Sequence, residues 1–391
     1  MASEGFPRDL LERPAHERLA YFRSYTIAHP RLKMVSDRLR RVIQEPAGRA
    51  LILVIGPTGV GKTTLRLRIE QELKQQFLTG GEPDPGRIPV VGFEAVAPDS
   101  GNFSWKDYYH QTLRALEEPL IDYKIDYATR QVSRNQAGEL TIANRVGNNE
   151  LRQAMEQALR HRRPAAVLID EAQHFTKMAS GRRLSDQLDC LKSLASLTGC
   201  VHVLIGTYEL LPCRNLSAQL SRRSIDIHFP RYRADDPDDA IAFQRVIFSF
   251  QRHLPLLQEP ELWRDWEYCY AHSIGCVGIL KDWFTRALAE VLEQGAPTLT
   301  RADLERHAWS LDQCEKMAQD ALDGESALNG VQDAGERLHS LLGLSTKPGM
   351  ETRTVSQTPV ASVPDRRRNP ASRRVGSRKP VRDAVGIRGA G

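Results

Sequence analysis

Residues 50–64 read Ala-Leu-Ile-Leu-Val-Ile-Gly-Pro-Thr-Gly-Val-Gly-Lys-Thr-Thr, an apolar strand that runs into a glycine-rich loop and the start of a helix. Gly56, Gly61, Lys62 and Thr63 complete the pattern G-x-x-x-x-G-K-[ST]. In this pattern the glycines let consecutive backbone N–H groups point at one phosphate, while the lysine reaches the β- and γ-phosphates of a nucleotide. The threonine hydroxyl is a ligand for Mg²⁺, and the helix start adds the positive end of its dipole.

This stretch therefore predicts a site for a nucleoside triphosphate and Mg²⁺. Lys62 is also expected to act in catalysis and Thr63 to hold the metal. A glycine turn in an unrelated α/β protein is the alternative, and the apolar strand before the loop and the amphipathic helix over 64–76 argue against it. The expected nucleotide-binding residues of the loop are Gly56, Pro57, Thr58, Gly59, Val60, Gly61, Lys62, Thr63 and Thr64.

The composition is that of a globular protein with room for two or three structural units, since the chain has 391 residues and 41% of them are hydrophobic. No stretch approaches the ~20 apolar residues that a membrane-spanning helix needs. The N-terminal residues lack the apolar segment of a secretory signal, so we expect a cytoplasmic protein without a membrane partner. The six cysteines form no C-x-x-C pair and are expected to remain thiols; Cys269, His272 and Cys276 lack a fourth ligand for zinc.

The charge is unevenly distributed along the chain. The net charge is +5, yet residues 351–391 alone carry ten Arg or Lys residues against three Asp or Glu residues. Because this segment has almost no large apolar side chains, we expect residues 321–391 to be a largely disordered basic tail. Such a tail commonly contacts nucleic acid, and a solvated tail without a partner is the alternative.

The order of apolar segments predicts an α/β core between helical segments. Apolar runs typical of buried parallel strands lie at 50–55, 89–95, 165–169, 201–206 and 225–229, with helices between them at 104–117, 148–162 and 184–197. Five such strands with right-handed crossovers predict a doubly wound parallel sheet. The polar stretch over 126–149 is compatible with a small inserted hairpin that turns at 135–138. The expected units are an N-terminal helical extension (1–48), the core (49–232), an all-α unit (233–320) with helices near 238–252, 259–272, 277–293 and 301–318, and the tail (321–391).

A second motif follows the strand at 165–169, where the chain continues as Asp170-Glu171-Ala172-Gln173-His174. Carboxylates at the carboxyl end of a buried parallel strand lie at the edge of the sheet where ligands bind. We expect Asp170 to hold Mg²⁺ together with Thr63, and Glu171 to polarise the water that attacks the γ-phosphate. The alternative is a strand end with two solvated acids.

The pairing of these two motifs, with an extra strand between them, resembles the AAA+ ATPases. The resemblance implies an ATP-hydrolysing core with a C-terminal helical lid, and it places three further functions. Thr207, after the fourth strand, would be the polar sensor-1 residue, with a helix N-cap as the alternative. Arg222 or Arg223, before the fifth strand, would reach a neighbouring subunit's nucleotide, with an exposed pair of arginines as the alternative. Lys281 would be the sensor-2 residue, although many relatives have arginine there and a surface lysine is the alternative.

A closer resemblance is to the TnsC/TniB group of transposition regulators, with MuB more distant. The stretches that carry it are residues 17–22 with 27–32, residues 56–63, and Leu168-Ile169-Asp170-Glu171-Ala172-Gln173-His174. It implies an ATPase, slow without its partners, that assembles with ATP on double-stranded DNA as a ring or filament. Such a protein links a target-selection protein of the TniQ/TnsD type to a transposase and is reset by ATP hydrolysis.

In that interpretation, DNA is held mainly through its phosphates. The candidate contacts are the basic tail and Lys106, Arg130, Arg134 and Arg145, each of which is otherwise a solvated charge. Two other functions remain open. An ExeA-like or signalling AAA+ ATPase would act on protein partners without DNA, and an ATP-gated scaffold would recruit partners with negligible turnover.

Overall fold

The computed structural model describes residues 5–48, 50–80, 84–97, 103–121, 132–134, 140–142, 147–177, 181–214, 223–329, 338–339 and 341–342. The chain divides into two compact units, Met1–Ala334 and Gly335–Gly391. In the second unit only the four residues from Leu338 to Leu342 named above are described, and the expected basic tail at 351–391 lies outside the described residues. No helix in the described ranges is long and apolar enough to cross a membrane.

Five parallel strands form the central sheet of the first unit: β1 (Leu51–Ile55), β2 (Val90–Glu94), β5 (Ala166–Asp170), β6 (Val201–Gly206) and β7 (Ser224–His228). Their order in the sheet is β2-β5-β6-β1-β7. In register, Ile55 at the end of β1 lies beside Gly206 of β6 and His228 of β7. Each of the five strands lies within one residue of its predicted position at both ends, and the predicted doubly wound sheet is confirmed.

Helices cover both faces of this sheet because its strands are apolar on both sides. Leu51, Leu53 and Ile55 pack toward α4 (Trp105–Ala115), α5 (Asn148–Arg162) and α6 (Gly181–Thr198). Ile52 and Val54 point the other way, toward α2 (Pro30–Gln44) and α3 (Lys62–Thr79). The alternation along β1 therefore places two hydrophobic cores on opposite sides of the strand that leads into the glycine-rich loop. β3 (Val132–Arg134) and β4 (Leu140–Ile142) pair as the small antiparallel hairpin that the sequence predicts.

The C-terminal part of the first unit is helical. It consists of α7 (Pro237–Arg252), a 3₁₀ turn (Leu262–Asp265), α8 (Trp266–Ser273), α9 (Val277–Glu293), α10 (Arg301–His307) and α11 (Leu311–Asn329). Trp283 of α9 is fully buried in its core and donates its indole N–H to the Leu304 carbonyl at 2.9 Å. From the N-terminal segment, α1 (Ala15–Ser24) contributes Phe22 to the same hydrophobic cluster.

The prediction of one helix over 301–318 is wrong. The chain leaves helical geometry after His307, and a new helix begins at Leu311. Ser310 marks that start, because its hydroxyl accepts a hydrogen bond from the Gln313 N–H at 3.3 Å, as an N-cap does. The second helix, α11, continues to Asn329 and so extends into the segment 321–391 that the sequence assigned to a disordered tail.

Candidate functional site

The glycine-rich loop adopts a conformation that requires its glycines. Gly59 and Gly61 have φ values of +76° and +107°, in the left-handed region that side chains disfavour. A Cβ on Gly56 would lie 2.3 Å from the Phe229 carbonyl oxygen, which follows β7. Two of the glycines are therefore needed for backbone conformation and one for close approach to a neighbouring strand end.

Lys62 begins α3 and is 6% exposed. Its ammonium donates to the carbonyl oxygens of Gly56 and Pro57 at 3.2 and 2.8 Å. Burial lowers the pKa of Lys62, while the nearby carboxylates of Glu171 and Asp170 oppose that effect. Among the described residues these two carbonyls are its hydrogen-bond acceptors, so one of its three N–H groups remains for a phosphate oxygen.

Asp170 and Glu171 lie at the carboxyl end of β5, on the same edge of the sheet as the loop. Asp170 is 1% exposed, and its Oδ1 accepts the Glu171 N–H at 3.0 Å. Its Oδ2 lies 3.6 Å from Nε of Arg66 in α3. Thr63 is exposed in the first turn of α3. A carboxylate and a hydroxyl are hard oxygen donors, and this donor set suits Mg²⁺.

Thr207 follows β6, which lies between β5 and β1 in the sheet. It occupies the N-cap position of a 3₁₀ helix (Tyr208–Cys213), yet its side chain makes no capping hydrogen bond. Its Oγ1 is buried and has no hydrogen-bond partner within the described part of the chain. Thr207 also lines a cavity of about 460 Å³ together with Pro57 and Thr58 of the loop. The topology thus places Thr207 beside the loop, and its hydroxyl makes no hydrogen bond within the described residues.

Gln173 connects the second motif to the end of β6. Its side-chain Nε2 donates to Oε2 of Glu171 at 2.5 Å, and its Oε1 accepts the Thr207 N–H at 3.3 Å. Gly206 makes room for this amide, because a Cβ there would lie 2.5 Å from the same Oε1. The sequence predicts no role for Gln173, because its two partners are brought together only by the sheet.

The helical part contacts the loop through the first turn of α9. The Gly278 N–H donates to the Gly59 carbonyl at 2.7 Å, and a Cβ on Gly59 would lie 2.4 Å from Cγ1 of Ile279. Lys281, the residue expected as sensor 2, lies one turn further along α9. The Lys281 ammonium donates to the Arg23 carbonyl of α1 at 2.8 Å, and burial lowers its pKa. A role of Lys281 at the γ-phosphate stays a prediction.

The C-terminal half of α11 forms one wall of the cavity beside the loop. Asp320 and Asp323 line it together with Pro57 and Thr58. The helix packs so closely against the turn after β6 that a Cβ on Gly324 would lie 2.1 Å from the Tyr208 ring. No feature of the sequence around residue 324 indicated this contact, because it joins segments more than a hundred residues apart.

The remaining predicted residues are dispersed. Arg222 lies outside the described residues. Arg223 is exposed at the amino end of β7, at the sheet edge opposite the loop, and donates to the Ser196 hydroxyl at 3.0 Å. Of the four proposed DNA contacts, Lys106 is exposed in the first turn of α4. Arg134 belongs to β3, while Arg130 and Arg145 lie outside the described ranges.

Burial keeps the Cys269 and Cys276 thiols of the helical part protonated. Burial raises the pKa of Cys269 and of Cys276 to about 12. The distance between His272 Nδ1 and the Trp309 carbonyl oxygen is 3.2 Å. In the described ranges, no group of three or more His, Cys, Asp or Glu residues is arranged to hold a metal ion.

Comparison with known proteins places this geometry in context. Residues 44–214 match the family model of an AAA domain. A search of curated protein sequences finds no match. Similar solved structures include the Aeropyrum pernix ORC2 protein in its ADPNP and ADP complexes, with 13% identity and a TM-score of 0.47 over 73% of this chain and 71% of that chain.

Two further similar structures contain DNA. The Aeropyrum pernix ORC1 protein in complex with DNA has 14% identity and a TM-score of 0.48, over 78% of this chain and 70% of that chain. Drosophila ORC bound to DNA has 14% identity and a TM-score of 0.44, over 85% and 79% of the two chains.

Proposed function

We propose that this chain, whose residues 44–214 form an AAA domain within an AAA+ P-loop fold, is a cytoplasmic ATPase that assembles with ATP on double-stranded DNA. In this proposal it links target-site selection to a transposase and is reset by hydrolysis. The observation that carries the ATPase part is the meeting of four groups at one sheet edge. Lys62, the Asp170–Glu171 pair and Thr207 follow three different strands, and they converge on the glycine-rich loop.

These residues have complementary parts in the hydrolysis of ATP to ADP and phosphate. Lys62 exchanges a loop carbonyl for phosphate oxygens and stabilises the charge that develops on them. Glu171 accepts a hydrogen bond and then a proton from the water whose oxygen bonds to the γ-phosphorus, as the bond from that phosphorus to the β-phosphate oxygen breaks. The Thr207 hydroxyl, which is buried and unpaired within the described residues, donates to the water or the γ-phosphate.

Mg²⁺, when bound, neutralises charge on the β- and γ-phosphate oxygens. The residues that would hold it are Thr63, through its exposed hydroxyl, and Asp170, through its nearly inaccessible carboxylate. Asp170 is oriented for this by its hydrogen bond from the Glu171 N–H. A ligand fixed by such a bond loses less conformational freedom when the metal binds.

An arginine from a second copy would complete the site. In this proposal the arginine is Arg222 or Arg223. Arg223 lies at the opposite edge of the sheet from its own loop, which leaves a neighbour's nucleotide as its target. A nucleotide shared between two copies makes assembly depend on ATP, and hydrolysis then releases the interface. The proposed homo-oligomer is therefore a ring or filament.

The DNA and transposition parts of the proposal rest on the three sequence stretches that resemble TnsC/TniB proteins and on the basic tail. They imply contacts to DNA phosphates, with Lys106, Arg130, Arg134, Arg145 and the tail as candidates. Such contacts predict binding that weakens steeply as the salt concentration rises. The proposed partners are double-stranded DNA, a transposase and a TniQ/TnsD-like target-selection protein.

The ATPase part is tested with purified protein, radiolabelled ATP and Mg²⁺. We expect ATP binding and slow hydrolysis in the parent, loss of binding in Lys62→Ala, and binding without hydrolysis in Glu171→Gln. Lys74→Ala, which removes an exposed lysine from the same helix α3, is the matched control and should retain both activities. If Lys62→Ala binds ATP as tightly as the control, the loop does not have the proposed role.

The DNA part is tested separately by negative-stain imaging and ATPase assays with ATP or a non-hydrolysable analogue, with and without duplex DNA. Rings or filaments that need both nucleotide and DNA, and that disappear at high salt, support the proposal. If DNA changes neither assembly nor hydrolysis while hydrolysis itself depends on Lys62, the chain is an ATPase of a different role.

A further inference from the structure

We propose that Gln173 is a positioning residue. Its side-chain amide orients the Glu171 carboxylate and makes that orientation depend on the position of the Thr207 backbone, which follows β6. The inference deepens the proposed ATPase function and rests on it. Its basis is the two hydrogen bonds of one side-chain amide, one to Glu171 and one to the backbone of Thr207.

The amide occupies a confined position. Gln173 is 7% exposed and lies in a short 3₁₀ helix (Ala172–Thr176) directly after the carboxylate pair. Its backbone is fixed as well, because the Gln173 carbonyl accepts the Thr176 hydroxyl at 2.7 Å. Its Oε1 approaches Gly206 so closely that any side chain there would displace it. The amide therefore has little freedom to rotate, and both of its hydrogen bonds are set by the packing around it.

Glu171 itself needs such a partner. Its backbone has φ +50° and ψ +32°, a left-handed conformation that is uncommon for a residue with a side chain. The carboxylate of a residue that stands between a strand end and a short helix can take several rotamers. The Gln173 Nε2–H group selects the rotamer in which Oε2 accepts its hydrogen bond, and it leaves Oε1 to accept a hydrogen bond from water.

The second hydrogen bond connects this carboxylate to the other strand. Thr207 donates its N–H to Gln173 Oε1 while its own hydroxyl is the group proposed to meet the γ-phosphate. A displacement of the Thr207 backbone therefore moves the acceptor amide, and with it the donor that holds Glu171. By this linkage, contact at Thr207 and the position of the water-polarising carboxylate change together.

The test compares three substitutions of Gln173 for ATP affinity, kcat and thermal stability. Gln173→Ala and Gln173→Met remove both hydrogen bonds, whereas Gln173→Glu keeps the acceptor for Thr207 and replaces the donor with a carboxylate. We expect kcat to fall by up to about 100-fold, as it does when a catalytic group is misplaced, with ATP affinity unchanged. Gln173→Glu should lower kcat as Gln173→Ala does, because its carboxylate keeps the acceptor but cannot donate a hydrogen bond to Glu171.

Two further variants separate positioning from folding. Lys177→Ala changes an exposed side chain directly after the same 3₁₀ helix, so it should keep the stability, ATP affinity and kcat of the parent. Gly206→Ala places a methyl group against Gln173 Oε1 and should lower kcat in the parent. In the Gln173→Ala background, where its contacts with Leu210 and the backbone of residue 173 remain, it should add a smaller loss.

The outcomes distinguish this inference from the proposed function. If Glu171→Gln abolishes hydrolysis while Gln173→Ala keeps the parental kcat, the positioning role is wrong and the ATPase assignment stands. The positioning role is equally wrong if kcat falls in Lys177→Ala as far as in Gln173→Ala. If neither Lys62→Ala nor Glu171→Gln affects turnover, the proposed function itself has failed.

Discussion

Arg231, three residues after the last strand of the sheet, forms a buried bidentate ion pair with Glu325 near the end of α11. The Nε–Oε1 and Nη2–Oε2 distances are 2.9 and 3.3 Å, and the two side chains are 9% and 10% exposed. Arg231 also donates to the Tyr270 hydroxyl and the Ile274 carbonyl. This arginine thus connects the segment after the sheet to α8, to the residue that follows α8, and to α11. The last of these helices lines the cavity beside the glycine-rich loop.

Loss of the Glu325 carboxylate should destabilise the fold. Glu325→Ala leaves a buried guanidinium without its counter-charge, which costs about 3–5 kcal/mol of unfolding free energy. Urea denaturation of the purified variant measures the loss. Glu315→Ala, at an exposed position of the same helix, is the control and should change the free energy by no more than about 0.5 kcal/mol.

A double substitution distinguishes charge from packing at this pair. Arg231→Met with Glu325→Leu removes both charges and keeps the apolar volume, so its stability should lie close to that of the parent. If the double variant is as unstable as Glu325→Ala, the loss comes from packing of α11 and not from an uncompensated charge.

Gly278 controls the distance between the helical part and the loop. A Cβ there would lie 2.5 Å from the Gly59 carbonyl oxygen, so Gly278→Ala must displace the loop or the first turn of α9. We expect weaker ATP binding, by about tenfold, in a variant that still folds. Fluorescent-nucleotide titration measures this, and Glu293→Ala at the exposed end of α9 serves as the control with parental affinity. Parental affinity in Gly278→Ala would show that the contact does not shape the loop.

We expect the buried His29 to lower the free energy of unfolding at acidic pH. It caps α2, and its Nδ1 accepts the Leu32 N–H at 3.4 Å and lies 3.1 Å from the Tyr232 hydroxyl. Burial, with smaller effects of Arg31 and Arg68, lowers its pKa from 6.5 to about 4. The unfolded chain therefore binds a proton at a higher pH than the folded chain does, so the contribution of His29 is complete above pH 6.5 and is lost as the pH falls toward 4.

His29→Asn keeps a capping side chain but does not titrate. We expect its unfolding free energy to fall less between pH 6.5 and 4 than that of the parent, by about 2 kcal/mol. Chemical denaturation at several pH values provides the comparison, with His16→Asn at an exposed position as the control. Parallel curves for His29→Asn and the parent would contradict the assignment.

Glu171→Gln should allow ATP-dependent assembly but prevent disassembly. The amide keeps the shape of the side chain but cannot take a proton from water, so ATP binds and the assembled state persists. Light scattering after removal of free ATP measures disassembly. Glu94→Gln, at the end of β2 beside Asp170 in register, is the matched control. Equal disassembly rates in Glu171→Gln and the parent would exclude Glu171 as the group that activates water.

The local signals were sufficient for the sheet and for the loop. Each strand is a short apolar run, and its position follows from composition alone, so β1, β2, β5, β6 and β7 lie where the sequence places them. The break before Leu311 was missed, since the residues around 308–310 include neither proline nor glycine. The continuation of α11 was missed because its stability comes from distant contacts with Tyr208 and Arg231.

The sequence by itself determined the phosphate-binding pattern, the acidic pair after a buried strand and the alternation that builds the parallel sheet, because each depends on neighbours within a few residues. Only the tertiary structure decided that Gln173 joins Glu171 to Thr207, that Gly278 contacts the loop, and that α11 lies beside it. These contacts join segments separated by tens to hundreds of residues. Their existence depends on strand order and helix packing, which no local pattern of residues encodes.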